Sequence, residues 1–145
     1  MDRMERIAIE ADCNRLINGF NWCVDTFAYD DAIALCTSDV VLHRLDVPFE
    51  GEAGLREVFG MRNPARKTCH LVTNAIIDVA DADHATGKAL CAIYGYIGET
   101  APGEGAPISL PDTIVRNDFR FRRTDAGWRI REVRLSVEFR KLAGD

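Results

Sequence analysis

The sequence predicts an α+β fold in which a curved antiparallel sheet wraps around three N-terminal helices. Apolar residues recur at three- and four-residue steps through much of the N-terminal part, as they do on the buried face of a helix. In the C-terminal part, apolar and polar residues alternate, which is the pattern of strands with one buried face. Helices followed by a run of strands are typical of an α+β domain whose sheet covers the helices.

Length and composition limit the class of protein. The 145 residues are enough for one domain, 1–145, because chains of this size bury roughly 70% of their unfolded surface. The net charge of -5 argues against a nucleic-acid partner, which requires a basic surface. Without a signal peptide or a long apolar run, we expect a cytoplasmic protein that does not bind membranes.

The five cysteines and three histidines do not form a metal-binding pattern. The cysteine count is odd and no CxxC motif occurs, so we expect reduced thiols that are buried as small apolar side chains. The histidines lie at none of the spacings typical of zinc ligands, either with each other or with the cysteines. We therefore predict neither a metal nor a cofactor.

The C-terminal hairpin gives the clearest strand pattern. Its first strand, predicted over Thr113–Arg123, alternates apolar and charged residues, and Asp125 and Gly127 suit the tight turn that follows. Asn117 interrupts the apolar face of this strand. Because a buried amide needs hydrogen-bond partners, Asn117 is either satisfied by neighbouring groups or offered to a ligand.

The second strand of the hairpin, predicted over Trp128–Phe139, changes its alternation midway. Its first apolar residues occupy even positions, and the later ones, through Phe139, occupy odd positions. A single inward face requires one inserted residue near Arg131 and Glu132, so we predict a β-bulge there. The residues expected on the concave, buried side are Trp128, Ile130, Val133 and Leu135.

The other predicted elements precede this hairpin. Asp30 is a plausible N-cap for the second, short helix. The predicted helices are Met4–Ala28, Ala32–Cys36 and Glu52–Met61, the strands are Ser38–Leu45, Lys67–Val79 and His84–Ile97, and the turns and loops are Pro48–Gly51, Ala80–Asp83 and Gly98–Pro111.

Five short segments occur in the order and at the spacing of a known family. They are Val24–Thr26, Ser38–Val40, Phe49–Glu52, Cys69–Asn74 and Ala126–Ile130. Together they resemble the nuclear transport factor 2-like, or cystatin-like, superfamily, and within it the SnoaL-like and scytalone dehydratase-like group. The resemblance covers nearly the whole chain. It implies a cone of helices closed by the curved sheet, with a pocket at the open end.

The resemblance also implies where an active site would lie. It places Asp25, at the end of the first helix, and His70, on the strand after the third helix, as a catalytic pair. It places Asn117 in the pocket wall as a substrate-binding residue. The family's second tyrosine and second histidine correspond in position to the neighbourhoods of His43 and Tyr94, so these two residues are further candidates for substrate binding.

Each candidate also has a structural interpretation. Asp25 opposes the helix dipole, which calls for a partner or a function, but it is also compatible with an exposed carboxylate leading into a loop. A lone histidine among apolar residues, such as His70, is more often a satisfied core residue. Trp22 lies on the same flank of the helix as Asp25 and joins the substrate-binding candidates. His84, beside a polar turn, is expected to be exposed.

Two kinds of function follow from these residues and from the resemblance. The first is a cofactor-independent lyase or isomerase acting on a small cyclic or aromatic hydroxy-ketone. His70 would remove a proton beside the carbonyl, Asp25 would hold the imidazole in one tautomer, and Asn117 would bind the enolate. The alternative is a non-catalytic small (β) subunit of a ring-hydroxylating dioxygenase, or a small-molecule-binding protein. We also expect a homodimer or larger assembly through the outer face of the sheet.

Overall fold

Three helices and six strands make up the protein, whose computed structural model describes residues 1–142. Within these residues, no helix is long and apolar enough to cross a membrane. In chain order, the elements are α1 (Arg3–Asp25), α2 (Tyr29–Ala34), β1 (Cys36–Arg44), β2 (Val47–Glu50), α3 (Gly51–Gly60), β3 (Arg66–Val79), β4 (His84–Ile97), β5 (Thr113–Thr124) and β6 (Gly127–Arg140).

Helix α1 is capped at its start and ends at Asp25. The Asp2 side chain accepts the backbone N–H of Glu5 at 2.9 Å, and the Glu5 carboxylate accepts the backbone N–H of Asp2 at 2.8 Å, which forms a capping box. The helix ends three residues before the predicted Ala28. Phe27 adopts a φ of 59°, a left-handed conformation that a helix cannot continue through.

The six strands form one sheet in the order β2-β1-β6-β5-β4-β3. All neighbouring pairs are antiparallel except β1 and β6, which run parallel. The expectation of a fully antiparallel sheet is therefore corrected at this pair. A hairpin forces antiparallel pairing, but β1 and β6 are connected through the whole middle of the chain, which leaves either direction possible.

The concave face of the sheet packs against the helices. Helix α1 contacts β3 and β6, and α3 contacts β1. The largest completely buried side chains of the resulting core are Phe121, Ile17, Leu55 and Ile130. The predicted fold class, a curved sheet around three helices, is confirmed.

The predicted bulge is present in β6 at Arg131. Glu132 and Ile130 pair with consecutive residues of β5, so Arg131 between them has no partner in the ladder. The inserted residue moves the apolar positions from even to odd numbers without changing their face. Of the residues predicted on the concave side, Trp128, Ile130 and Val133 are buried and Leu135 is half-buried.

A second bulge in β6 was not predicted. Val137 and Phe139 pair with consecutive residues of β5, which leaves Glu138 unpaired. Phe139 lies opposite Ile114, whose neighbour Val115 is on the concave side. Phe139 is therefore on the convex face and is 68% exposed. The inward position predicted for it is wrong because an alternation pattern cannot reveal an insertion one residue before it ends.

A third bulge divides β3 between Thr73 and Ile76. Asn74 lies within it at a φ of 53°, a conformation that asparagine tolerates better than most residues. Before the bulge, the even-numbered residues of β3, including His70, face the concave side. After it the parity changes and Val79 is buried against the core. One strand thus supplies a polar wall at one end and an apolar core at the other.

Two local predictions are corrected. Helix α2 begins at Tyr29, and its N-cap is Ala28, which makes no side-chain capping bond. Asp30 therefore lies in the first helical turn, where its charge suits the helix dipole, and is not the cap. Pro48 lies in the short edge strand β2 and not in a turn, since an edge strand tolerates a residue without an N–H group.

Candidate active site

A cavity of about 500 Å³ lies between the concave face of the sheet and the helices α1 and α3. Most of its wall is apolar, with side chains such as Phe20, Val115, Phe119 and Val133. A cavity of this size and character suits a small organic molecule. The polar side chains in its wall are Asn21, Arg44, Arg62, Asn63, Arg66, Thr68, His70, Thr113 and Asn117.

Asp25 and His70 meet at this cavity. Nδ1 of His70 lies 2.5 Å from Oδ1 of Asp25, and the backbone N–H of His70 donates to Oδ2 at 2.7 Å. The Thr68 hydroxyl donates to Oδ1 at 2.7 Å. Both carboxylate oxygens are therefore occupied, and the pair is well shielded, with side-chain exposures of 12% for His70 and 17% for Asp25.

The environment of Asp25 favours its ionised form. Burial raises the pKa of this carboxyl, but the hydrogen bonds and charge of His70 and the hydroxyl of Thr68 lower it by more, so the pKa lies below its ordinary value. An ionised carboxylate only accepts hydrogen bonds. Nδ1 of His70 therefore carries a hydrogen, and Nε2 is the ring nitrogen that can accept a proton as a base.

A hydrogen-bond chain supports Asp25 from behind. Nη2 of Arg62 donates to Oγ1 of Thr68 at 2.8 Å and to the carbonyl of Val24 at 3.4 Å. Nε of Arg62 donates to the hydroxyl of Tyr29 at 3.1 Å. Because Thr68 accepts from Arg62, its own hydroxyl hydrogen is directed to Asp25.

Arg62 and Thr68 were not predicted as site residues. Thr68 stands two residues before His70 and therefore on the same face of the strand, which is a signal that the sequence does contain. Arg62 follows α3 in a segment without periodicity, and no sequence signal points to its role.

Asn117 lies in the cavity wall with only 5% exposure. Its Oδ1 is buried and has no hydrogen-bond partner among the residues that the structure describes. Of the two interpretations of this amide, satisfaction by neighbours is therefore not what the structure shows. A buried amide without a partner is available to a ligand.

The other three candidates do not reach the cavity. Trp22 is 73% exposed, because the helical turn points it away from the sheet. Tyr94 and His43 follow Ile93 and Leu42, which line the cavity. Because successive side chains of a strand point to opposite faces, Tyr94 and His43 lie on the convex side. Their predicted contact with a substrate in this cavity is corrected.

The thiols take no part in this site. Cys13, Cys36 and Cys91 have a pKa raised to about 12, mainly by burial, so they stay protonated at neutral pH. Cys69 is exposed, which corrects the expectation that all five are buried. Among residues 1–142, no group of three or more His, Cys, Asp or Glu side chains is arranged to hold a metal ion.

Fold and site together define a small α+β protein with an imidazole in the wall of an apolar cavity and a shielded carboxylate behind it. The chain belongs to the SnoaL-like domain family, whose profile matches residues 5–134. Its fold is the cystatin-like, nuclear transport factor 2-like fold that the sequence predicted. No curated protein matches this chain in sequence.

Solved structures share the fold at low sequence identity. A provisionally assigned scytalone dehydratase from Novosphingobium aromaticivorans superposes with a TM-score of 0.78 at 12% identity, covering 97% of this chain and 91% of that one. A LinA-type3 hexachlorocyclohexane dehydrochlorinase from Novosphingobium barchaimii gives 0.78 at 16%, covering 99% and 97%. A provisionally assigned aromatic ring hydroxylase from N. aromaticivorans gives 0.71 at 23%, covering 92% and 91%.

Proposed function

We propose that this protein is a cofactor-independent lyase or isomerase that acts on a small cyclic or aromatic hydroxy-ketone. The observation that carries the proposal is the 2.5 Å contact of His70 with Asp25 in the wall of the apolar cavity. A histidine whose Nδ1 is held by a carboxylate presents Nε2 as a base at neutral pH. The relationship to a scytalone dehydratase and a dehydrochlorinase, by fold, supports this class of chemistry.

The proposed reaction begins with proton removal. Nε2 of His70 takes the proton from the carbon beside the ketone, and the electron pair of the broken C–H bond moves onto the carbonyl oxygen as an enolate. Asp25 fixes the ring and stabilises its positive charge. Asn117 lies in the same wall, and its side-chain NH₂ group donates a hydrogen bond to the enolate oxygen. Its buried, unpartnered Oδ1 is an acceptor and is left for a hydroxyl of the substrate.

The second step decides between the two reaction types. In a dehydratase the enolate re-forms the carbonyl and a new C=C bond while the C–O bond to the hydroxyl at the next carbon breaks. His70 returns its proton to that hydroxyl, which leaves as water. In an isomerase His70 returns the proton to a different carbon, and no group leaves.

Exchange of the substrate proton with solvent tests the proposal even while the product is unidentified. A panel of hydroxylated cyclic and aromatic ketones is incubated with the protein in D₂O, and incorporation of deuterium beside the carbonyl is followed by NMR. We expect catalysed exchange for at least one compound, and a decrease of about 10²–10⁴-fold in His70→Ala. The matched control is His84→Ala, since His84 also contacts an aspartate but lies on the surface.

Two results would contradict the proposal. One is equal exchange in His70→Ala and in the wild-type protein. The other is an absence of catalysed exchange across the panel although the compounds bind in the cavity, which would leave a binding protein. Circular dichroism of each variant separates loss of the base from loss of the fold.

The alternative function is assembly without catalysis. Small subunits of ring-hydroxylating dioxygenases share this fold. The structural likeness to a protein assigned as an aromatic ring hydroxylase therefore favours an assembly role. A gene for a dioxygenase large subunit beside the gene for this chain would support the alternative. The exchange experiment decides against it if His70 is required.

Association with a second copy stays a prediction. A row of apolar side chains crosses four strands on the convex face, where Leu71 is 49% and Phe139 is 68% exposed. The paired residues of this row are Leu71, Ala92, Ile114 and Phe139. We expect a homodimer or larger assembly, weakened by Phe139→Ser. Sedimentation of the wild-type protein at the monomer mass of 16.2 kDa would contradict this.

A further inference from the structure

The charged side chains of the cavity wall are all basic. Arg44, Arg62 and Arg66 line the cavity, whereas no aspartate or glutamate does so among the described residues. The chain as a whole carries a net charge of -5, so the charge of this wall is opposite in sign to the net charge of the protein. Asp25 lies behind His70 and is occupied by three hydrogen bonds.

The charge of two of these arginines is either balanced by a carboxylate or solvated by water. Nη2 of Arg66 lies 2.5 Å from Oδ2 of Asp112, so this ion pair is internally balanced. The space it occupies exists because residue 95 is glycine, since a Cβ there would overlap both groups. Arg44 is exposed, and its guanidinium contacts the sulfur of Met61 at 3.9 Å. Water can solvate it.

Arg62 differs from both, because it is less exposed than Arg44 and, unlike Arg66, forms no ion pair among the described residues. It is half-buried, and the groups that it contacts are neutral, namely two hydroxyls and a carbonyl. No carboxylate within residues 1–142 lies within 4.0 Å of its nitrogens. These contacts use Nε and Nη2, while Nη1 makes no hydrogen bond in the described structure. The nearest carboxylate linked to it is Asp25, which is separated from Arg62 by the hydroxyl of Thr68, so Nη1 stays free to bind an anion directly.

We infer that the cavity binds a substrate with a carboxylate or similar monoanionic group, which Arg62 recognises through Nη1. A half-buried guanidinium in the cavity wall without a direct ion pair and with a free Nη1 suits one negative charge, and such charge-assisted hydrogen bonds are among the strongest in proteins. This inference rests on the proposed function and narrows its substrate to hydroxy-ketones that carry an acid group.

The anion site and the proposed base belong to the same wall. Successive contacts of 2.8, 2.7 and 2.5 Å link Arg62 to Thr68, Thr68 to Asp25, and Asp25 to His70. A small molecule held by its carboxylate at Arg62 therefore keeps its ring beside His70. The apolar wall opposite them lowers the effective dielectric constant around a bound anion, which strengthens the attraction between the two charges.

A pair of probes with the same shape and different charge tests the inference. The probes are 4-hydroxybenzoate and its uncharged amide, 4-hydroxybenzamide, titrated into the protein at neutral pH by calorimetry. We expect the wild-type protein to bind the carboxylate about tenfold more tightly than the amide. Arg62→Gln is expected to remove this preference. The control Arg56→Gln, on the exposed surface of α3, is expected to keep it.

Equal affinity for the two probes, preference for the amide, or no binding of either at millimolar concentration would each overturn the inference. So would a carboxylate preference that survives in a folded Arg62→Gln variant. If that variant does not fold, Arg62→Lys replaces it. This variant keeps the charge but loses the planar fork, so we expect a weaker carboxylate preference, and an undiminished preference in folded Arg62→Lys would overturn the inference.

His70→Ala separates this inference from the proposed function. The variant lacks the base but keeps Arg62, so we expect it to retain the carboxylate preference while exchange is lost. Retained preference without any exchange in the wild-type protein would refute the proposed reaction and leave the anion site standing. Exchange that depends on His70 without a carboxylate preference would refute the anion site alone.

Discussion

Among residues 1–142, two pairs of histidine and aspartate are chemically alike and differ in surroundings. In each pair, Nδ1 of the imidazole approaches Oδ1 of the carboxylate, at 2.5 Å for His70 with Asp25 and at 3.0 Å for His84 with Asp81. The first pair joins α1 to β3 and is shielded, with exposures of 12% and 17%. The second spans three residues at a surface turn, with exposures of 62% and 58%.

The difference shows which property marks a candidate site. The pKa of Asp81 also lies below its ordinary value, chiefly because the backbone N–H of Asp83 donates to it. A histidine partner and a lowered carboxyl pKa therefore occur at a plain surface turn. Only the Asp25 pair adds burial and a cavity where a small molecule could meet the ring, and perturbed groups in a cleft are the ones that indicate function.

The largest expected contrast between the pairs is in catalysis. Asp25→Asn keeps the size of the side chain but replaces one acceptor by an N–H₂ group, so Nδ1 no longer donates to a carboxylate. We expect proton exchange to fall by about a hundredfold or more. Asp81→Asn is expected to leave exchange unchanged. Equal effects of the two substitutions in the D₂O assay would remove the distinction between the pairs.

A second contrast concerns stability. His70→Ala leaves Asp25 shielded without its main partner, and we expect a loss of about 1–3 kcal/mol in the free energy of unfolding. His84→Ala removes a contact between solvated groups, so urea denaturation should give the wild-type midpoint. A destabilisation of His84→Ala as large as that of His70→Ala would contradict this assignment of burial.

A smaller effect on stability and exchange is expected when the Thr68 hydroxyl behind the His70–Asp25 pair is removed. Thr68→Val removes the hydroxyl that accepts from Arg62 and donates to Asp25, with a cost of about 1 kcal/mol in unfolding free energy and a partial loss of exchange. Thr73→Val, on an exposed position of the same strand, is the control. Wild-type exchange in a folded Thr68→Val variant would show that the hydrogen bonds from Arg62 through Thr68 do not position Asp25.

The smallest expected effect is a pH dependence. Because the folded-state pKa of Asp25 lies below its ordinary value of 3.8, its contribution to stability is complete above that pH and is lost as the pH falls through the folded-state value. Unfolding free energies measured below pH 3.8 should therefore fall less steeply in Asp25→Asn than in the wild-type protein. Parallel curves would show that Asp25 is not held in its ionised form.

The parts of this site that the sequence predicts are those that follow from one element at a time. Asn117 interrupts an otherwise apolar face, and the shifted alternation of β6 requires the bulge at Arg131, so both could be found from their own strands. The pairing of Asp25 with His70 was predicted from the family resemblance. Local pattern could not reveal it, because 45 residues separate them.

The parts that were missed depend on contacts between elements. The role of Arg62 exists only because α1, α2 and β3 bring Val24, Tyr29 and Thr68 to its guanidinium. The outward positions of Tyr94 and His43 depend on the registers of β4 and β1, and a shift of one residue reverses the face. For these two residues, a position near the predicted pocket did not show which face of the sheet the side chain would occupy.

The parallel pair of β1 and β6 has a consequence for the order in which this chain can fold. Val41 pairs with Glu132, and contacts between such distant residues form slowly because a long loop must close first. During synthesis on a ribosome, β1 and β5 each keep one unpaired edge until β6 is made. Such edges promote aggregation. The last strand of the sheet in chain order enters its middle, so the cavity is complete only when synthesis of that strand is complete.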